Sequence, residues 1–106
     1  MAHVDEPQVY TNAMQFGDVA HVHCDSNGPR QHECVTALLY PNEAWDPSLA
    51  GETCFYAEDE AMRLAVLPRP GRLVLFVSSM QHVGRPPSRL FWGQRLTLAI
   101  KFVPER

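Results

Sequence analysis

A chain of 106 residues, 45% of them hydrophobic, is long enough for one core and too short for two, so a single domain over residues 1–106 is expected. The formal charge is −3, and the nine Lys and Arg residues are scattered. They form neither a basic face nor the aromatic interleaving that a phosphate backbone rewards, which excludes nucleic acid as an expected partner.

In chain order, short apolar runs and two-residue alternation predict strands at residues 8–16, 19–25, 34–40, 52–56, 63–67, 72–78, 82–85 and 95–103. Breakers separate them: Asn27-Gly28-Pro29, Pro41-Asn42, Asp46-Pro47, Pro68-Arg69-Pro70-Gly71 and Pro86-Pro87. Only residues 47–51 and 57–62 have room for a helical turn, and Leu73-Val74-Leu75-Phe76-Val77 reads as a buried run. About eight short strands in so small a chain predict an all-β sandwich or barrel, in which closure removes exposed edges.

Cys24, Cys34 and Cys54 form no CxxC pair, and their odd number argues against a disulfide framework, so reduced thiols and a cytoplasmic location are expected. The opening Met1-Ala2-His3-Val4-Asp5-Glu6 lacks the basic and then apolar pattern of a signal segment. No apolar run approaches the roughly 20 residues that cross a bilayer, so no membrane partner is expected.

One constellation carries chemistry. In His23-Cys24-Asp25 the imidazole and the carboxylate are two residues apart, which on a strand turns both to one side. Taken alone, such a triplet is more often a surface or hydrogen-bonded pair. His82 follows at the start of a short strand, however, and two histidines with one carboxylate are the donor set of non-haem iron oxygenases. Such a set leaves about three coordination positions open, enough for a chelating co-substrate and oxygen together. Arg95 opens the alternating strand Arg95-Leu96-Thr97-Leu98-Ala99-Ile100-Lys101-Phe102. A cavity holding a metal and one inward guanidinium can take a small dicarboxylate, chelated at one end and clamped at the other. Arg85 and Arg89 are rivals for that role, and strand phase favours Arg95.

The ordered motifs resemble the iron(II)/2-oxoglutarate dioxygenases, specifically the prolyl-4-hydroxylase-like branch. They are His23-Cys24-Asp25; Val35-Thr36-Ala37-Leu38-Leu39-Tyr40-Pro41-Asn42 with Trp45-Asp46 and Gly51-Glu52; Pro68-Arg69-Pro70-Gly71-Arg72-Leu73-Val74-Leu75-Phe76; His82-Val83-Gly84-Arg85-Pro86-Pro87-Ser88-Arg89; and Arg95-Leu96-Thr97-Leu98. The resemblance covers residues 8–104. It implies a double-stranded β-helix, or jelly roll, with His23, Asp25 and His82 as metal ligands. Arg95 matches the basic residue that pairs with the far carboxylate of 2-oxoglutarate, and Tyr40 matches a tyrosine whose hydroxyl joins that pair. Fe(II), 2-oxoglutarate and O2 are implied, with ascorbate as an accessory reductant. The substrate implied is a peptidyl proline, an amino acid or a small metabolite, hydroxylated with release of succinate and CO2. Because Asp25 is not Ala or Gly, hydroxylation is favoured over halogenation.

The alternative is a non-catalytic cupin-like barrel that binds a metal or small ligand. His21-Val22-His23 could open such a site, but the Glu expected four or five residues later is replaced by Asn27 and Gly28. His21 is instead expected as a polar neighbour, Cys24 as a thiol turned away from its ligand neighbours, and Trp45-Asp46 as a loop anchor. Relatives of this branch carry helices before the first strand, whereas seven residues precede Gln8. Leu96, Leu98, Ile100 and Phe102 would then face outward uncovered, which predicts a trimmed piece of a longer enzyme or a homo-oligomer formed through that sheet face.

Overall fold

The computed structural model describes residues 8–25 and 33–103. His3, His32 and the Asn27-Gly28-Pro29 breaker lie outside them. Seven strands are formed: β1 (Gln8–Met14), β2 (Val35–Leu39), β3 (Thr53–Tyr56), β4 (Met62–Val66), β5 (Leu73–Val77), β6 (Gln81–Gly84) and β7 (Arg95–Phe102). They make a four-stranded sheet in the order β1-β7-β2-β5 and a three-stranded sheet in the order β4-β3-β6. Every pairing is antiparallel. Because the chain passes back and forth between the sheets, their inner faces close around one cavity, the mainly-β jelly roll that the sequence predicts.

Register decides what enters that cavity. Thr36 stands opposite Phe76 and Lys101, Leu38 opposite Val74 and Ala99, Thr97 opposite Asn12, and Arg95 opposite Met14. Since side chains alternate with a period of two, these residues share the inward side. Leu38, Tyr40, Phe55 and Phe76 form the buried cluster. The Phe55 and Phe76 rings meet edge to face with centroids 5.0 Å apart, a geometry the ring quadrupoles favour.

Three expectations are corrected. Residues 19–25 are not a strand; His23 alone pairs, in an isolated bridge to His82. The segment lies beside β6 with Val19 80% and Val22 49% exposed, so little apolar burial is available to extend the pairing. Residues 57–62 hold no helical turn. Glu60 N donates to Ala57 O, Ala57 N to Ala61 O, and Ala61 N to the Asp59 side chain, closing the turn between β3 and β4. Nor is the run 73–77 buried throughout: Phe76 is buried and Val74 half-buried, whereas Leu73, Leu75 and Val77 are exposed. Alternation in a sheet with one covered face is the cause.

Residues 47–51 do hold a short 3-10 turn at Pro47–Leu49, capped by the Asp46 side chain accepting from Ser48 N. Trp45 anchors this loop by donating from Nε1 to Ala50 O at 2.8 Å. None of the three cysteines is in a disulfide. No helix among the described residues is long and apolar enough to cross a membrane.

The outer face of the larger sheet carries Val35, Leu73, Leu75, Val77, Leu96 and Phe102, all exposed. Replacing Leu75 with Glu is expected to lower the fluorescence of a bound apolar dye while leaving the unfolding free energy within about 0.5 kcal/mol, as for other exposed positions. Dye titration and thermal unfolding check this; unchanged dye binding would show that the face is covered.

Candidate metal centre

His23 and His82 are brought together by the backbone. His23 N donates to His82 O at 2.9 Å and His82 N to His23 O at 2.8 Å, so the two residues form a hydrogen-bonded antiparallel pair. Their ring centroids lie 4.5 Å apart. Asp25 N donates to Ser78 O at 2.8 Å, and Lys101 Nζ donates to Asp25 O at 2.7 Å, which ties down the end of the same segment. Asp25 Oδ1 then lies 3.5 Å from His23 Nε2 and 3.3 Å from His82 Nε2. One donor atom from each of the three residues fits within a span of 4.8 Å.

Both histidines are oriented in the same way. Nδ1 of His23 lies 2.8 Å from His21 O, and Nδ1 of His82 lies 2.9 Å from Met80 O. A carbonyl can only accept, so Nδ1 donates in each ring and Nε2 is left facing Asp25 as the candidate ligand atom. Phe76 packs edge-on against His82 with centroids 4.8 Å apart, which restrains the buried ring. Asp25 Oδ2 accepts from Thr36 Oγ1 at 2.9 Å, and Thr36 Oγ1 shares a 2.8 Å hydrogen bond with Ser78 Oγ.

Burial favours the neutral forms of these groups, but their contacts reverse that tendency. Desolvation would raise the Asp25 pKa, yet the hydrogen bond and charge of His82, with Thr36 and His23, hold it below the usual value. Desolvation would lower the His82 pKa, yet Asp25 and the Met80 carbonyl hold it above the histidine norm. The raised His82 pKa corresponds to an Nε2 proton shared with Asp25, and a divalent metal would take that proton's place between one carboxylate and two imidazoles.

The cavity next to these ligands has a volume of about 120 Å³. Leu38, Phe76 and Ala99 supply apolar wall, and the exposed Tyr10 and Asn12 of β1 also line it. Arg95, 2% exposed, lines it as well. Its Nε donates to Gly51 O at 2.6 Å and its Nη2 to Thr53 Oγ1 at 2.8 Å. Desolvation lowers its pKa, with Tyr40 among the groups that oppose the shift. Among the described residues no carboxylate forms an ion pair with it. Glu52 acts on it through its charge without an ion-pair contact, so a ligand carboxylate at hydrogen-bond distance is the natural complement of this buried guanidinium.

Tyr40 departs from the expected contact. It is fully buried, its hydroxyl shares a 2.7 Å hydrogen bond with Thr53 Oγ1, and the cavity wall at this point is Thr53 and Arg95. Tyr40 thus acts on Arg95 through Thr53 and through its ring, 5.7 Å from the guanidinium carbon. Burial raises its pKa, so the phenol keeps its proton at neutral pH. Arg85 and Arg89 are exposed and outside the cavity, and His21 is exposed in the adjoining groove. Thr53, Thr97, Ser78 and Lys101 escaped the sequence analysis. Thr97 could have been found, since it lies two residues from Arg95 on one strand.

A jelly roll that carries two inward histidines and one carboxylate is the architecture of a mononuclear non-haem iron centre. The chain belongs to the 2OG-Fe(II) oxygenase superfamily, whose family model matches residues 8–102. Among solved structures it is similar to a prolyl-4-hydroxylase from Pseudomonas putida, with 27% identity and a TM-score of 0.75 over 94% of this chain and 54% of that one. It shares the fold of a prolyl hydroxylase from Trichoplax adhaerens, solved with a hypoxia inducible factor oxygen degradation domain peptide. That match has 20% identity and a TM-score of 0.72, over 96% of this chain and 46% of that one. The chain therefore spans about half the length of these structures. No curated protein matches the sequence significantly.

Substituting Thr36 with Val keeps the shape and removes the hydroxyl that orients Asp25. Mn(II) or Fe(II) affinity is expected to fall about 10–100-fold, the usual scale for a partner of a metal ligand. Calorimetric metal titration measures it, with far-UV circular dichroism as the folding control. An unchanged affinity would remove Thr36 from the site.

Proposed function

We propose that this barrel is the catalytic core of an Fe(II)- and 2-oxoglutarate-dependent hydroxylase, with His23, Asp25 and His82 holding the metal and Arg95 receiving the far carboxylate of 2-oxoglutarate. The observation that carries the reading is Arg95: a cation buried without a described carboxylate partner, lining the same small cavity as the three ligands. The bound iron would supply oxygen activation coupled to decarboxylation of 2-oxoglutarate to succinate and CO2. The chain's own residues do the rest. Arg95, braced by Thr53 and Tyr40, orients the co-substrate; Leu38, Phe76 and Ala99 keep water from its methylenes; and the Nδ1 contacts hold both imidazoles in the binding tautomer.

A cavity of about 120 Å³ suits one five-carbon diacid, so the group to be hydroxylated has to approach from outside it. The groove beside His23, about 490 Å³ and lined by Asn12, Met14, Asp18, Val19, Ala20 and His21, provides that approach. An open groove accommodates a peptide segment, and the peptide bound to the Trichoplax adhaerens enzyme supports a peptidyl substrate over a free metabolite.

The test is iron-dependent release of succinate from 2-oxoglutarate. Wild type is expected to turn over, and His23→Ala or Asp25→Ala to fall to background. Arg95→Ala should raise the KM for 2-oxoglutarate by about 10–100-fold, the worth of a charge-assisted hydrogen-bonded pair. Metal binding without any 2-oxoglutarate binding would leave a non-catalytic barrel instead.

A further inference from the structure

Gly84 lies on β6 two residues after His82 and opposite Thr53, so it belongs to the inward side. Unlike Gly17, Gly51 and Gly71, it has no positive φ, and its backbone makes no demand for glycine. Glycine inside a strand is a cost in conformational entropy, so a reason must be sought in space. A Cβ at this position would lie 3.2 Å from Arg95 Nη1, 3.4 Å from Nη2 and 3.5 Å from Cζ. The guanidinium lies close against the β6 backbone, where a side chain would meet it in a tight contact.

Arg95 has little room to give way. Nε is bound to Gly51 O at 2.6 Å, Nη2 to Thr53 Oγ1 at 2.8 Å, and the Tyr40 ring lies 5.7 Å from Cζ. Gly51, with φ of 75°, confines the aliphatic part in the same way, since a Cβ there would come within 3.2 Å of Arg95 Cδ and 2.9 Å of Trp45. A methyl at position 84 therefore requires the guanidinium to yield by a few tenths of an ångström, against two hydrogen bonds and beside a cavity of only about 120 Å³. Gly84 also lines both this cavity and the outer groove, so the bare backbone lies where the two meet.

We infer that Gly84 is a positioning residue for Arg95, and that its lack of a side chain sets where the guanidinium meets the far carboxylate and so favours 2-oxo diacids over 2-oxo monoacids. The inference rests on the assignment of Arg95 proposed above. It predicts a defect confined to one end of the co-substrate.

Calorimetric titration of the Mn(II)-loaded protein without oxygen reads this directly, using 2-oxoglutarate and 2-oxopentanoate, which has the same chain length and no far carboxylate. Gly84→Ala should weaken 2-oxoglutarate about 10–100-fold, the scale of one displaced charge-assisted hydrogen-bonded pair, while the affinities for 2-oxopentanoate and Mn(II) stay within about twofold. A general packing defect would move all three together, and an unchanged ratio of the two acids would overturn the inference. In an Arg95→Lys background, which lacks the planar group, Gly84→Ala should cost nothing further; an equal loss in both backgrounds also overturns it. Should Gly84→Ala alone fail to fold, the double variant is expected to fold, because the methyl then has room, and its failure would show that the strand itself needs glycine. If wild type binds the two acids alike while still binding Mn(II), the Arg95 assignment falls. If wild type prefers the diacid and Gly84→Ala keeps that preference in full, the assignment stands and the role of Gly84 falls.

Discussion

The site depends on two backbone hydrogen bonds exchanged between His23 and His82. Among the described residues they are the single bridge by which the segment carrying His23 joins β6, and they set two residues far apart in sequence side by side in space. Asp25, two positions along and outside any strand, is placed by its own amide, which donates to Ser78 O. Ring tautomers, carboxylate orientation and the packing of Phe76 refine a geometry that this bridge has already created. Backbone bonds do this more rigidly than side-chain contacts could, because the peptide units have few torsions left once paired.

Charge is arranged to suit a ligand with two anionic ends. Among the described residues, Asp25 makes its ion-pair contacts with the two imidazoles, and Arg95 has none. A divalent metal on a single carboxylate leaves that end of the cavity positive, and Arg95 adds a second positive group. Between them lie Leu38, Phe76 and Ala99, where the methylenes of such a ligand would find apolar surface and a low dielectric would strengthen both polar contacts.

Filling the interior with a site changes where the apolar residues go. The inward positions of the strands are spent on Thr36, Thr53, His82, Arg95 and Thr97, leaving Leu38, Tyr40, Phe55 and Phe76 as the buried cluster. Much of the remaining strand hydrophobicity faces outward, as at Leu73, Leu75 and Leu96. Polar residues on the inner face and apolar ones on the outer are thus two sides of the same alternation.

The sequence by itself pointed to the class of fold and to a candidate donor set. Short alternating runs broken by Pro, Gly and Asn specify antiparallel strands locally, and His23, Asp25, His82 and Arg95 were legible through the ordered motifs that carry the family resemblance, strand phase holding for Arg95 on β7 but not for residues 19–25, which form no strand. It could not show that residues 19–25 pair at one point only, or that Leu73 and Leu75 face outward, since pairing partners and face coverage are not written in local pattern. Tertiary structure alone decided that the Tyr40 hydroxyl meets Thr53, that Thr36 orients Asp25, and that Gly84 leaves space for a guanidinium. Each of these depends on a distance between residues remote in sequence, and such distances exist only once the two sheets have closed.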